Sequence, residues 1–190
     1  MTSGRLITFE GIDGSGKTTQ ALRIQSDLER AGRQVLYLRE PGGTRIGERI
    51  RAILLDRDHV DMSLESEILL FAAARAQIVR ELVLPALQEG TIVLLDRFTD
   101  STVAYQGYGR GIPLDTAKAL NRFAAGSLEP DLTFLIDLPV DVALSRTGRR
   151  TGQVDRLDVE DTAFHERVRQ GYLRMAEENP STFQILGACR

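Results

Sequence analysis

The stretch Gly11-Ile12-Asp13-Gly14-Ser15-Gly16-Lys17-Thr18 decides the fold, because it satisfies the G-x-x-x-x-G-K-[ST] phosphate-binding pattern at every specified position. Gly11, Gly14 and Gly16 let the backbone wrap closely around a phosphate chain, with successive N–H groups aimed at the anion. Lys17 is the residue that reaches the β- and γ-phosphates, and the Thr18 hydroxyl is a ligand for Mg²⁺. The flanks agree. An apolar run, Leu6 to Phe9, feeds into the loop, and a helical pattern over about 17–31 leaves it, presenting its positive dipole end to the same phosphates. Lysine is scarce, with only Lys17 and Lys118 beside 22 arginines, which makes its place in the loop selective. Residues 11–18, extended by Thr19, are therefore assigned to binding ATP, with Ile12, Asp13 and Ser15 completing the loop.

Further apolar clusters at 35–38, 92–95, 132–136 and about 183–186 are near-continuous hydrophobic runs, the pattern of strands buried on both faces. Helical stretches separate them at roughly 46–55, 64–88, 115–125, 139–147 and 160–178. Strand-helix alternation opening on a phosphate loop predicts an α/β fold of the P-loop NTPase type, a five-stranded parallel sheet flanked by helices. Ligands are then expected at the carboxyl ends of the strands. The 190 residues read as a single domain, with a polar, glycine-punctuated break at about 147–156 as a mobile lid.

Composition narrows the classes. A net charge of −3 argues against a general nucleic-acid binder, so no nucleic-acid partner is expected. The lone Cys189 leaves no internal disulfide and no cysteine-based zinc site. No secretion signal is visible and the longest apolar run, Ile68 to Ala74, is far too short to span a membrane. A cytoplasmic protein with no membrane association is the expectation. His59 and His165 are too isolated for a metal site or triad and read as surface or packing residues, while Asp56, Asp58 and Asp61 read as a solvated helix exit.

Three features select the phosphate chemistry. The only late lysine, Lys118, lies in Thr116-Ala117-Lys118-Ala119, which is no guanine reader and argues against a GTPase. The run 92–95 ends in Asp96-Arg97: Asp96 is placed to hold the metal shell beside Thr18, and Arg97 to hold an acceptor phosphate. Arginines gather around the break, at Arg146, Arg149, Arg150 and Arg156, where they can neutralise a transferring phosphoryl group.

The phosphate loop is followed in order by Arg39-Glu40-Pro41-Gly42-Gly43-Thr44, Leu70-Phe71-Ala72-Ala73-Ala74-Arg75, Asp96-Arg97-Phe98-Thr99-Asp100-Ser101, Ala104-Tyr105-Gln106-Gly107 and the arginine-rich break. This succession resembles the bacterial thymidylate kinases, nucleoside monophosphate kinases that move the γ-phosphate of ATP to dTMP, over about residues 5–186. The resemblance implies Mg²⁺ as cofactor, ATP and dTMP as small-molecule partners, and a homodimer, for which the long helix from Leu64 to Leu87 has the apolar residues. It implies that Phe71 stacks on the pyrimidine while Arg75, four residues on and so on the same helix face, donates to its O4 carbonyl. Core packing is the ordinary alternative for Phe71. Tyr105 is placed under the sugar, where its ring excludes a 2′-hydroxyl; Ser101 and Thr102 offer hydroxyls near the base edge, and Gln106 is either a base contact or a turn cap.

Arg39 and Arg97 are expected to clamp the monophosphate in forked hydrogen bonds. Asp13 matches the family's acidic residue that approaches the 3′-hydroxyl, and its presence in the loop goes with arginines in the lid: Arg149 and Arg150 on the transferring phosphate, Arg146 toward the adenine. Lys17, Arg97, Arg149 and Arg150 are thus the expected catalytic group. Arg156 is assigned to a lid hinge through Asp155 or Asp158. The Glu40–Pro41 bond is a candidate for the cis form. No general base is required, since the attacking phosphate is already anionic. Two departures stand out. The family's Asp-Arg-x-Glu is Asp155-Arg156-Leu157-Asp158, with a shorter carboxylate. The chain also stops at Arg190, where family members commonly run on into a further helix, so one sheet face is expected to lack its cover or to take it from a neighbouring subunit. The competing readings are another P-loop nucleoside monophosphate or deoxynucleoside kinase, and a non-catalytic ATP-binding regulatory module.

Overall fold

The computed structural model describes residues 4–147, 156–157 and 160–187. Five strands, β1 (Arg5–Glu10), β2 (Val35–Arg39), β3 (Ile92–Asp96), β4 (Leu132–Asp137) and β5 (Phe183–Gly187), form one sheet in the order β2-β3-β1-β4-β5. Every pairing is parallel. Each strand coincides with a predicted apolar run, and β3 is buried along its whole length, as a strand covered on both faces must be.

Helices fill both faces. On one lies α1 (Lys17–Arg30), where Ala21, Ile24 and Leu28 pack on Phe9, Ile92, Leu94 and Phe134. On the other, α3 (Leu64–Ile78) covers Leu6, Leu38, Val93 and Leu95 through Ile78 and the residues that follow it. Beside it α8 (Thr162–Glu178) seals Leu135 and Phe183 with Phe164, Val168, Tyr172 and Met175. The remaining helices are α2 (Arg45–Leu55), α4 (Leu84–Gln88), α5 (Thr99–Thr102), α6 (Leu114–Ala125) and α7 (Val140–Thr147). Side-chain caps define several starts: Thr44 accepts from the Gly47 N–H, Ser63 from Ser66, and Asp161 from Phe164.

The helix expected as one unit over 64–88 is interrupted by a π-helical turn, Val79–Val83, before α4. Pro85 is the cause in the sequence. It has no N–H to donate and its ring crowds the carbonyl four residues back, so the regular ladder cannot pass through. A second π-helical run, Val103–Gly109, continues α5 and was not foreseen. Glycines at 107 and 109 hide its helical pattern, and its stability comes from tertiary neighbours: a methyl on Gly109 would meet Phe164 at 2.7 Å.

The parallel register sets the site. Arg39 and Phe9 both align with Asp96, and Glu10 aligns with Leu135, which gathers the carboxyl ends of β2, β3, β1 and β4 along one edge. The Glu40–Pro41 peptide at this edge is cis.

Candidate active site

The loop between β1 and α1 has the backbone its composition demands. Gly11 stands at φ 137°, and a Cβ there would lie 2.5 Å from the Ile136 carbonyl oxygen; Gly14, at φ 81°, is pressed as closely against Ala143. Gly16, in the left-handed region, precedes α1 and leaves its first N–H groups without a side-chain cap, open to an anion. Lys17 is 6 % exposed and its Nζ donates to the Ile12 carbonyl at 2.9 Å. Burial and the Arg97 charge push its ammonium down to about 8 against the pull of Asp13, Asp96 and Glu10. Ser15 is buried and its Oγ has no partner among the described residues.

At the end of β3 the Thr18 hydroxyl donates to Asp96 Oδ2, which also accepts from Tyr37 at 3.3 Å. A hydroxyl and a carboxylate meeting at the mouth of a phosphate loop are the hard oxygen donors Mg²⁺ uses together with nucleotide phosphates, so these two residues fit that ion. Among the described residues no group of three His, Cys, Asp or Glu could hold a metal without such phosphates.

Arg97 follows Asp96 with φ 73°, a left-handed backbone rare for an arginine and held by its N–H bond to the Phe9 carbonyl at 3.0 Å. Its guanidinium is caught on several sides. Nη2 donates to Asp13 Oδ1 at 2.6 Å and to the Tyr105 hydroxyl at 3.0 Å, while Nη1 reaches the Gly11 carbonyl, Ser101 and Tyr172 at 3.2–3.3 Å. The Tyr105 hydroxyl donates to Asp13 Oδ2 at 2.8 Å, closing a three-residue ring, and the Arg97 guanidinium lies 4.9 Å from the Tyr105 ring centre. Burial alone would raise the Asp13 carboxyl, but Arg97, Lys17 and the Tyr105 hydroxyl outweigh it and hold it well below the usual carboxylate range. Beneath the ring lies fully buried Glu10, which accepts from the Phe98 N–H and from Ser101 and Tyr172; burial raises its carboxyl even so.

Asp13, Phe71, Arg75, Arg97, Ser101, Thr102, Tyr105 and Gln106 all line one cleft. Arg75 is 1 % exposed and nearly saturated: Nε donates to Glu40, Nη1 to Thr102 and Asn121, and Nη2 to the Phe98 carbonyl. Of its five N–H groups one, on Nη2, remains for a ligand. Burial pushes Glu40 up to about 7 despite Arg75, and its Oε1 has no partner among the described residues. Gln106 donates to Glu67 at 2.9 Å and Ser101 to Glu10 at 2.6 Å, so both are oriented by buried carboxylates.

Not every expected residue arrives there. Arg39 is half-exposed, pairs with Glu48 at 3.3 Å and does not line the cleft. A cation from α2, Arg51, lines it instead, with Nη1 donating to the Pro41 carbonyl at 2.8 Å. Glu40, Pro41, Leu55 and Leu157 also line it and were not assigned from the sequence. Helix α2 carries several arginines, and only its docking decides which one faces inward. Arg146 is half-buried at the end of α7, Thr19 is exposed in α1, and Arg149 and Arg150 lie outside the described residues. Arg156 pairs with Glu67 of α3 at 2.5 Å, a partner too distant in sequence to be foreseen; its expected partners Asp155 and Asp158 lie outside the described residues. His165 is a buried packing residue set edge-on to Phe164, and Asp56, Asp58 and Asp61 are solvent-exposed.

A parallel sheet in this order, with a lysine-bearing phosphate loop after β1 and an aspartate at the end of β3 bonded to the loop threonine, defines a P-loop NTPase. Beside its nucleotide loop lies an arginine-lined cleft suited to a second, phosphorylated ligand. The family model for thymidylate kinase matches residues 9–190, and the chain belongs to that family. It is 50% identical over 188 residues to a thymidylate kinase of Geobacter sulfurreducens, an alignment covering 96% of this chain and 88% of the relative. It is 49% identical over 180 residues to one from Kosmotoga olearia, covering 95% and 86%. The crystal structure of thymidylate kinase from Ehrlichia chaffeensis superposes with a TM-score of 0.81 at 35% identity, over 97% of this chain and 93% of that one. Among the described residues no helix is long and apolar enough to cross a membrane.

Proposed function

We propose that this chain transfers the γ-phosphate of ATP to dTMP, giving dTDP and ADP. The observation that carries the reading is the Asp13–Arg97–Tyr105 ring, which joins the phosphate loop directly to the cleft lined by Phe71 and Arg75. ATP lies along residues 11–18, with Thr19 beside the loop, and with loop N–H groups and Lys17 on its phosphates. Thr18 and Asp96 would hold Mg²⁺, which would supply positive charge to offset that developing on the transferred phosphoryl group. Arg97, held at the cleft by its neighbours, receives the acceptor phosphate by giving up some of the acceptors that Nη1 and Nη2 now serve. Asp13, kept ionised, accepts from the sugar hydroxyl, and Tyr105 walls the 2′ position. Phe71 stacks on the pyrimidine, and the remaining Arg75 N–H selects a carbonyl over an amino group, with Ser101, Thr102 and Gln106 along the base edge. Arg39 swings from Glu48 to the acceptor phosphate once that anion competes for it; the exposed pair is weak enough to give way.

The roles of Arg149 and Arg150 at the transferring phosphate, of Arg146 toward the adenine, and of about 147–156 as a lid on a single domain carry over from the resemblance. A cytoplasmic setting follows from the substrates. The chain acts as a homodimer, supported by an apolar groove between α3 and α6 that exposes Leu64 and Leu69, with Phe123 of α6 85% exposed nearby.

The decisive measurement is ADP release from Mg-ATP with dTMP, dUMP, dCMP, dGMP, AMP and UMP offered separately. Fast turnover on dTMP, slower on dUMP and little on the others is the expected result. ATP binding without acceptor-dependent release would favour the regulatory module instead.

A further inference from the structure

Leu157 is 8% exposed, yet it belongs to none of the three apolar clusters of the core. Its side chain lines the acceptor cleft, together with Leu55 and Phe71. The residue before it is anchored on two helices. The Arg156 N–H donates to the Leu55 carbonyl at 3.3 Å and its Nε to the Leu54 carbonyl at 3.1 Å, so this arginine caps the C-terminus of α2, whose own last turn has no basic residue. Its Nη2 then meets Glu67 Oε2 at 2.5 Å.

Glu67 is 1% exposed and serves as a hub. Beyond Arg156 it accepts from Gln106 at 2.9 Å and from two nitrogens of Arg110 at 3.2 Å, while Arg110 Nη1 pairs with Glu160 at 2.6 Å. Two carboxylates and two guanidiniums alternate, so the charges of this network balance around buried Glu67. Glu67 itself does not line the cleft. Two of its partners connect to it: Gln106 lines it directly, and Arg156 is followed by Leu157, which does.

We infer that Leu157 is an apolar wall of the acceptor site and that Glu67 is a positioning residue for acceptor binding, acting through the Arg156 ion pair that seats this wall. The inference rests on the cleft being the dTMP site, as proposed above. The ion pair earns its place by geometry: a carboxylate buried on α3 is the only charge the chain brings to Arg156 from that helix among the described ion pairs, and it reaches across from the same helix that carries Phe71 and Arg75.

The test compares the full chain with Leu157→Ala, Glu67→Gln and the double variant, reading the Kd for dTMP and for Mg-ATP by calorimetry, KM and kcat by ADP release, and melting temperature. Leu157→Ala is expected to weaken dTMP about tenfold, the scale of one apolar contact in a pocket, with ATP affinity retained. Glu67→Gln should produce a loss of the same kind, and the double variant no more than the larger single loss, because both remove one wall. Arg156→Lys should restore part of what Arg156→Gln loses, and this pair stands in if Glu67→Gln does not fold. An unchanged dTMP Kd in Leu157→Ala, additive losses in the double variant, or equal weakening of dTMP and ATP would overturn the inference. Turnover by the unmodified chain is read separately: if it binds and phosphorylates dTMP normally while the variants match it, the wall fails and the function stands; if it binds no dTMP, both fall.

Discussion

Lys17 sits in an environment that does not favour its charge until a polyphosphate arrives. With its ammonium pushed down to about 8 by burial and by Arg97, the free protein holds it protonated below that pH and loses the proton above it. Bound phosphates favour the charged form, so binding at higher pH must take up a proton. ATP affinity should therefore be level below about pH 8 and fall by up to about tenfold per pH unit above it. Calorimetry in buffers of different ionisation enthalpy would register that uptake; a Kd flat to pH 9.5 would place the Lys17 pKa elsewhere. Asp13 behaves in the opposite sense. Its carboxyl is depressed by Arg97, Lys17 and Tyr105 acting against burial, so it stays ionised throughout this range and contributes no slope.

At the scale of elements, the contact that matters most for the site is α8 against the π-helical run Val103–Gly109. Tyr105 and Tyr172 meet edge to face across it with ring centres 6.4 Å apart, and both reach Arg97. The approach is close because Gly171 has no side chain: a Cβ there would lie 2.5 Å from the Tyr108 ring. Gly171→Ala gains intrinsic helix propensity but must push α8 away from a packed ring. The net effect should be a loss of about 1–3 kcal/mol in unfolding free energy, seen as a lower urea midpoint, together with weaker dTMP binding as Tyr105 shifts. A gain in stability would mean that Tyr108 rotates away freely. The same contact explains why this run escaped detection in the sequence, since its glycines look like a loop until Phe164 and Val168 are placed against Gly109.

For the molecule as a whole, the proposed homodimer makes a prediction about the α3–α6 face. Leu69 is 54% and Phe123 85% exposed, an apolar presentation that solvent alone would disfavour. Replacing both with aspartate should shift the protein toward a monomer in sedimentation velocity at micromolar concentration while secondary structure by circular dichroism is retained. A dimer that survives the double change uses another surface. The site edge of the sheet lies at the carboxyl ends of β1 and β3, so monomeric variants should still bind Mg-ATP.

The phosphate loop and the strands were legible because their signals are local: consecutive glycines, a lysine at fixed spacing and apolar runs as long as one strand. The pairing of Thr18 with Asp96, and of Phe71 with Arg75, was legible for the same reason, since one follows from strand ends and the other from helical spacing. What the chain order could not reveal is any partnership that spans the fold. Glu67 with Arg156, Glu40 with Arg75 and Glu10 with Tyr172 each join residues brought together only when helices dock on the sheet. Spacing along a chain records which residues share a strand or a helix face, and so it determined the class of fold and the phosphate chemistry. That Arg51 lines the cleft while Arg39 rests on Glu48 at its edge, and which leucine walls it, were decided by tertiary packing, because desolvating a charge or seating a wall depends on neighbours from distant segments.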